Sequence, residues 1–295
     1  MKKYLIVFTL LSFTFISCQK DFSIDNIAEL TSPNLVDTTL LRKFFLLDTT
    51  LLAPNDTIYV YTFYYDNLRR CSNFKGSNGI DSFFVNNYYN GNDTLIAKRK
   101  LYSTNSADST LDYFNYSTTG RILSDSILEY TSTFGLTNFY FSYQNTTNQS
   151  GSITNKSNGN QFEYNNFLIQ RDNSNNITTA KDSLFLLVGS SYNFRETTTS
   201  AITYDNKICP FYKIFPKHLI NAVLEGSTII TLPPFHNLPQ KNNITLEIKT
   251  TSPQYPGADI CNNDYQYIYN SNNYPISMKM KDNLTNKIYK GIFIY

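Results

Sequence analysis

From Leu41 onward the chain alternates apolar and polar residues with a period of two. In "TIYVYTFYYD", Tyr59, Tyr61, Phe63 and Tyr65 share one face, while Ile58, Val60, Thr62 and Tyr64 share the other. That period belongs to a strand whose two faces meet different surroundings. The pattern recurs along the chain. Each run tends to end in Tyr, followed by Asp, Asn or Ser and a short polar break. The Tyr positions are 65, 89, 116, 143, 164, 204 and 269, and the first four steps are 24, 27, 27 and 21 residues. A step of about 25 residues equals two strands plus two turns, which predicts successive hairpins in one sheet. The expected fold class is therefore all-β: an antiparallel meander of repeated hairpins in a long curled sheet.

The clearest copy lies near the C-terminus, in "YQYIYNSNNYPISMKM". Tyr265, Tyr267 and Tyr269 alternate into the polar loop Asn270–Asn273, and Tyr274, Ile276, Met278 and Met280 alternate out. This predicts a hairpin. The closing run "KIYKGIFIY" is apolar on both faces and is expected to be covered on both. Composition agrees with strands and polar turns. There are 24 Tyr and 22 Phe with no Trp, and only 16% of residues are charged, against about 25% in ordinary soluble domains. Tyr and Phe suit a pleated, half-buried surface, and the abundant Asn suits turns.

One segment departs from the pattern. Residues 207–240 hold five of the ten prolines and read as a Pro-rich excursion covering one end or face of the sheet. A short helix over 217–224, opened by Pro216 and ended by Gly226, is the most helix expected. Pro233, Pro234 and Pro239 exclude a central strand there.

The first 17 residues read as an export signal. "MKK" is followed by the apolar run "YLIVFTLLSFTFI" and then "SC". The run is too short to span a bilayer comfortably. A small residue before a lone Cys at this place resembles the lipobox of bacterial lipoproteins. That resemblance implies cleavage before Cys18 and acylation of Cys18 with diacylglyceryl and palmitate-type chains. Phe15 stands where the family more often has Leu. The alternative is an ordinary cleaved signal with an incidental Cys. Residues 18–40 then form a tether, and 41–295 a single β domain. Loss of Lys2 and Lys3 leaves the mature chain with equal numbers of acids and bases, so no net charge recruits nucleic acid. The membrane partner is reached through the lipid. The basic clusters 68–70 and 98–100 read as solvated parts of strands or turns.

The repeat carries a second resemblance. Tyr116–Ser117 with Gly120–Arg121 is similar to the YD repeat of large secreted shell proteins, and Tyr65–Asp66 and Tyr204–Asp205 match its Tyr-Asp part. The fuller likeness is to Bacteroidota outer-membrane lipoproteins of unknown function that carry YD-like hairpins. It rests on Tyr204, Asp205, Lys207, Pro210, Phe211, Asn242, Asn243, Tyr267, Tyr269, Asn270, Tyr274 and Pro275. Most units lack the Gly-Arg pair. "CQKD" resembles the surface-export tag of such lipoproteins, with Phe22 where a second acid is usual. Cell-surface and periplasm-facing display both stay open. Asp-Ser/Thr-aliphatic triplets at 56–58, 93–95, 125–127 and 182–184 resemble O-glycosylation acceptors of that group, and chance production in a chain rich in these residues is the competing explanation.

Chemistry is sparse. Three cysteines remain after Cys18, and an exported location permits one disulfide, expected between Cys209 and Cys261, with Cys71 left as a buried thiol. His218 and His236 lie near no nucleophile motif and read as structural or exposed. "DNSNN" (172–176) spaces oxygens as a calcium loop does, but it lacks the later Gly and Glu and reads as a turn. No catalytic residue, metal site or cofactor is expected. Exposed Tyr could stack on sugars, but a half-buried sheet surface explains the same residues. The function expected is a non-enzymatic envelope protein, binding or structural. The alternatives are a glycan-processing hydrolase, which needs two carboxylates facing across a groove, and an accessory subunit of a surface complex, which needs a large exposed apolar patch.

Overall fold

A computed structural model describes residues 40–49, 56–104, 107–118, 122–131, 135–144, 150–158, 160–174, 176–214, 242–252 and 258–295. Among them are sixteen strands: β1 (Lys43–Asp48), β2 (Asp56–Tyr65), β3 (Cys71–Ser77), β4 (Ser82–Tyr89), β5 (Ile96–Ser103), β6 (Ser109–Tyr116), β7 (Ile122–Thr131), β8 (Gly135–Gln144), β9 (Ser150–Ser157), β10 (Asn160–Arg171), β11 (Ile177–Val188), β12 (Ser191–Ile208), β13 (Asn242–Ser252), β14 (Ala258–Tyr269), β15 (Pro275–Asp282) and β16 (Ile288–Ile294). Each pairs antiparallel with the next, as the hairpin repeat predicts. β1 also pairs with β16, from Lys43↔Ile294 to Asp48↔Tyr289, so the curled sheet closes into a barrel. Closure removes the two free edges that an open meander would expose.

The alternation sorts residues between lumen and exterior. Phe44, Tyr61, Phe63, Phe74, Val85, Met278 and Phe293 point inward and are buried. Outward positions on β14 and β15 include Asp264, Gln266, Lys279 and Lys281, cross-paired as Asp264↔Lys281 and Gln266↔Lys279, with exposed Ile268 opposite Ser277. Charges at these outward positions are the reverse of a membrane-spanning barrel, whose lipid-facing positions are apolar. β16 is half-buried on its outward side, and Lys290 there is exposed, so the expected cover over both its faces is found only on the lumen side.

The Tyr repeat has a physical cause. Even-numbered strands end at one rim, where odd-numbered strands begin. At that rim Tyr65 Oη donates to the Leu41 carbonyl at 2.7 Å, Tyr89 to Cys71 at 2.9 Å, Tyr116 to Ile96 at 2.7 Å, Tyr204 to Ile177 at 2.6 Å, and Tyr295 to Pro275 at 3.0 Å. In each case an inward ring at the end of a strand satisfies a carbonyl near the start of the preceding strand. A two-strand period in sequence thus becomes a ring of hydroxyls inside one rim. Tyr164 breaks the expectation. It lies within β10, faces outward, and stacks on Phe185 with centroids 4.6 Å apart. The side chain of Tyr143 lies outside the described residues.

The polar residue after each rim Tyr builds the turn. Asp66 Oδ1 accepts from the amides of Leu68 and Arg70, and Asn270 Oδ1 accepts from those of Asn272 and Tyr274. The fourth residue of each turn, Arg69 or Asn273, has positive φ, a conformation that Asn tolerates better than most residues. The "DNSNN" stretch uses the same scheme. Asp172 Oδ1 accepts from Ser174 N and Asn176 N, and its Oδ2 accepts from Asn176 Nδ2. Its carboxylate is consumed by a turn, as expected.

Of the Pro-rich excursion, the described part is a 3-10 turn, Pro210–Lys213. Phe211 enters the lumen at the Tyr rim and meets Phe44 edge-on at 5.3 Å, Phe63 at 6.2 Å and Phe293 at 5.9 Å. Full burial of such a ring stabilises by roughly 1.5–3 kcal/mol. The chain leaving β12 therefore sends Phe211 into the lumen at that end of the barrel. The remainder of the excursion, with the expected short helix, His218 and His236, lies outside the described residues.

Candidate functional site

The residues that carry the lipoprotein-like motif converge at the Tyr rim. Asp205 accepts from Lys207 N at 2.8 Å, from Asn243 N and Asn243 Nδ2 at 3.3 Å, and from Tyr269 Oη. Asn242 bonds Asn176 Nδ2 through its Oδ1 at 2.8 Å and donates from Nδ2 to the Lys207 carbonyl at 3.0 Å. Lys207 Nζ reaches Asn273 Oδ1 at 2.7 Å, and Tyr274 packs edge-on against Tyr295 at 5.4 Å. These bonds tie the ends of β11 to β14 around the base of the 3-10 turn. Burial, the nearby Asp205 and its bond hold the Tyr269 phenol well above its usual range. The motif is an architectural lock: its side chains answer one another.

The cysteines do not pair. Cys71, Cys209 and Cys261 are buried free thiols, so the expected Cys209–Cys261 disulfide is not formed. The geometry explains it. Cys209 lies at the Tyr rim within the field of Tyr267 and Tyr269, whereas Cys261 lies eight residues back along β14, roughly 25 Å at strand rise. A disulfide needs Cα atoms within about 7 Å. Burial pushes the Cys71 and Cys209 thiols up to about 12, which leaves them without the thiolate that reactivity needs. The pairing was inferred from position along the chain, which says nothing of which end of a strand each Cys occupies.

The strongest concentration of polar chemistry lies on the lumen wall, and sequence reasoning missed it. Inward positions of β10 to β14 carry Glu163, Asn165, Asp182, Glu196, Glu247, Lys249 and Asn263 among apolar neighbours. Asn165 Nδ2 donates to Asp182 Oδ2 at 2.8 Å, while Asn165 Oδ1 and Asp182 Oδ1 are buried without a partner. Burial pushes the Asp182 carboxyl up to about 7. Asn165 and Lys249 oppose the shift, and Glu163 and Glu196 add to it. Glu247 is fully buried and accepts from Tyr265 Oη at 3.2 Å. Further around the ring, Arg99 binds Asp112 through Nε at 2.8 Å and Nη2 at 2.6 Å, and Asp112 Oδ1 and Asn87 Oδ1 are buried without a partner. The basic run 98–100 is thus split by the pleat. Lys98 and Lys100 face out, as expected of a solvated strand, and Arg99 faces in. The only available signal was a parity argument: charged residues at inward positions of otherwise apolar-in strands.

This wall could hold and release a proton at Asp182 near neutral pH. The carboxylates of Asp182, Glu163 and Glu196 sit on the neighbouring strands β10 to β12, on one wall, not on two sides of a groove. Among the described residues no group of three or more His, Cys, Asp and Glu could hold a metal ion. Of the triplets likened to glycosylation acceptors, Ser183 lies within β11, bonded to Thr197 Oγ1 at 3.0 Å. Cys18 lies outside the described residues. Among the described residues no helix is long and apolar enough to cross a membrane.

No family model matches the chain, and a search of curated proteins finds no match. Among solved structures it is similar to two porin-like proteins. One, from Bacteroides vulgatus, has 11% identity and a TM-score of 0.49, covering 87% of this chain and 98% of that one. The other, from Bacteroides uniformis, has 13% identity and a TM-score of 0.46, covering 87% and 97%. A likeness of this degree assigns no function.

Proposed function

We propose that the chain is a non-enzymatic cell-envelope lipoprotein, anchored in the outer membrane by acyl chains on Cys18, whose barrel stands in water as a binding or structural module. The observation that carries this reading is the charge carried at outward strand positions. With Phe44, Phe63 and Phe293 inside and Asp264, Lys279 and Lys281 outside, the barrel pays a heavy cost to enter hydrocarbon. Attachment to a membrane must then come from elsewhere, and the apolar N-terminal run ending at Cys18 supplies it. Acylation by two or more chains gives stable anchoring where one gives only marginal binding.

The hydrolase reading has one observation in its favour, the raised carboxyl of Asp182. It is the weaker of the two because the acids share a wall, whereas glycosidase carboxylates flank the scissile bond. Intact mass measurement of the protein purified from membranes tests the proposal. The expected result is a chain beginning at Cys18 and carrying acyl mass, with Cys18→Ala unacylated. A wild-type chain without acyl mass overturns it.

A further inference from the structure

The outside of the barrel is not uniform. On β14 and β15 both signs of charge alternate. From β3 to β9 no outward strand position carries Asp or Glu, while Lys75, Lys98, Lys100 and Lys156 all face out. The acids of β6 and β7, Asp112, Asp125 and Glu129, stand at inward register positions, and Asp66, Asp81, Asp93 and Asp108 lie at strand ends or in turns. Among the described residues none of the four lysines is in an ion pair.

Register arranges aromatic rings between these ammonium groups. One row across the sheet reads Tyr88, Lys98, Tyr113, Ser126, Tyr140, Lys156. Four residues along the strands, a second row contains Lys75, Phe84, Tyr102 and Tyr130. Lys98 Nζ lies 5.3 Å from the Tyr88 ring centre and 5.4 Å from that of Tyr113, and Lys75 lies 5.4 Å from Phe84. Phe84 and Tyr102 stack at 5.2 Å. Tyr88, Tyr113, Tyr130 and Tyr140 are exposed, with Leu136 beside them at 65% exposure.

We propose that this outward face of β3 to β9 docks on an anionic lipid headgroup surface. The chemistry is that of an interface and not of a bilayer core. Tyr presents an apolar body and a polar tip, which suits headgroup depth. Unpaired lysines answer anionic headgroups at short range. Asn73, Asn86, Asn138 and Ser126 between them keep the face out of hydrocarbon. The proposal extends the anchoring reading: a lipid at Cys18 brings the barrel to the membrane, and this face sets which side lies against it.

The test uses the full chain carrying Cys18→Ala, so that no acyl chain contributes and failure of the anchoring reading leaves the result interpretable. Sedimentation is measured with vesicles of phosphatidylcholine, with and without phosphatidylglycerol. The expected result is binding only to the anionic vesicles, reversed by salt. Lys75→Gln, Lys98→Gln and Lys100→Gln together should weaken it about a hundredfold, at about fivefold per lysine. Tyr88→Ala with Tyr113→Ala should weaken it at unchanged charge. Lys279→Gln with Lys281→Gln, on another side of the barrel, should leave it unchanged. Equal sedimentation with both vesicle types, or equal loss from the control pair, overturns the proposal. So does a chain that binds a soluble sulfated polysaccharide as tightly as the vesicles and is indifferent to the Tyr substitutions, since that result assigns the face to a glycan.

Discussion

The hydroxyl of Tyr116 donates to the carbonyl of Ile96 at 2.7 Å, from the end of one strand to the start of the strand before it. Tyr65, Tyr89, Tyr204 and Tyr295 repeat that relationship around the rim. Tyr116→Phe keeps the ring and removes the bond. It should lower stability by about 1 kcal/mol, read as a smaller urea midpoint at unchanged slope. Tyr113→Phe, one pleat away and facing out, should leave the midpoint within about 0.5 kcal/mol.

Gly291 sits where β16 passes under two side chains. A Cβ there would lie 2.7 Å from Met278 Cγ and 2.8 Å from Phe44 Cε2. Gly291→Ala should destabilise by roughly 1–3 kcal/mol through overpacking. Gly291→Ala combined with Met278→Ala should recover part of that loss, read by thermal unfolding.

The Arg99–Asp112 pair is buried and bonded through two nitrogens. Asp112→Ala strands the guanidinium and should cost roughly 3–5 kcal/mol. Replacing both members by apolar residues of similar volume should cost far less, because no charge is then left buried. Chemical denaturation of the two variants distinguishes a stabilising pair from one that merely cannot be broken by half.

Asp182 makes stability depend on pH in the direction opposite to most acids. Its ordinary value is 3.8 and burial raises it to about 7 in the folded chain. Below about pH 4 both states are protonated and the contribution is neutral. Between there and pH 7 the unfolded chain loses the proton first, so stability falls as pH rises. Above pH 7 the loss is complete. Asp182→Asn should flatten the decline and stabilise the protein at pH 8 by on the order of 2 kcal/mol, and urea titrations across pH 4–8 measure it. A wild type whose stability rises over that window through this residue would contradict the assignment.

The repeat was legible because one physical need, closing a hairpin end, recurs every two strands and is met by a Tyr at positions 65, 89, 116, 204 and 295. The hairpin at 265–280 was legible too, and its register is Tyr265↔Met280 and Tyr267↔Met278. Tyr164–Asn165 has the same local spelling as a strand end, yet β10 continues to Arg171 because its partner β11 is equally long. Closure was not legible, since pairing of Phe44 with Phe293 joins residues at opposite ends of the chain. Nor was the polar wall. Asp182 on β11 and Glu247 on β13 are 65 residues apart in sequence, and only the register across β12 puts both on one inner surface. The cysteine pairing failed because position along the chain does not tell which end of a strand each Cys occupies.

The central claim is that the acyl group, and not the barrel, enters the hydrocarbon of a membrane. Phase partition in a neutral detergent that separates on warming tests it directly. Wild type should enter the detergent-rich phase, and Cys18→Ala, with Asp264, Lys279 and Lys281 still facing water, should remain in the aqueous phase as a folded β protein by circular dichroism. A folded Cys18→Ala chain that still partitions into this neutral detergent would contradict the account, because the barrel would then enter an apolar phase by itself.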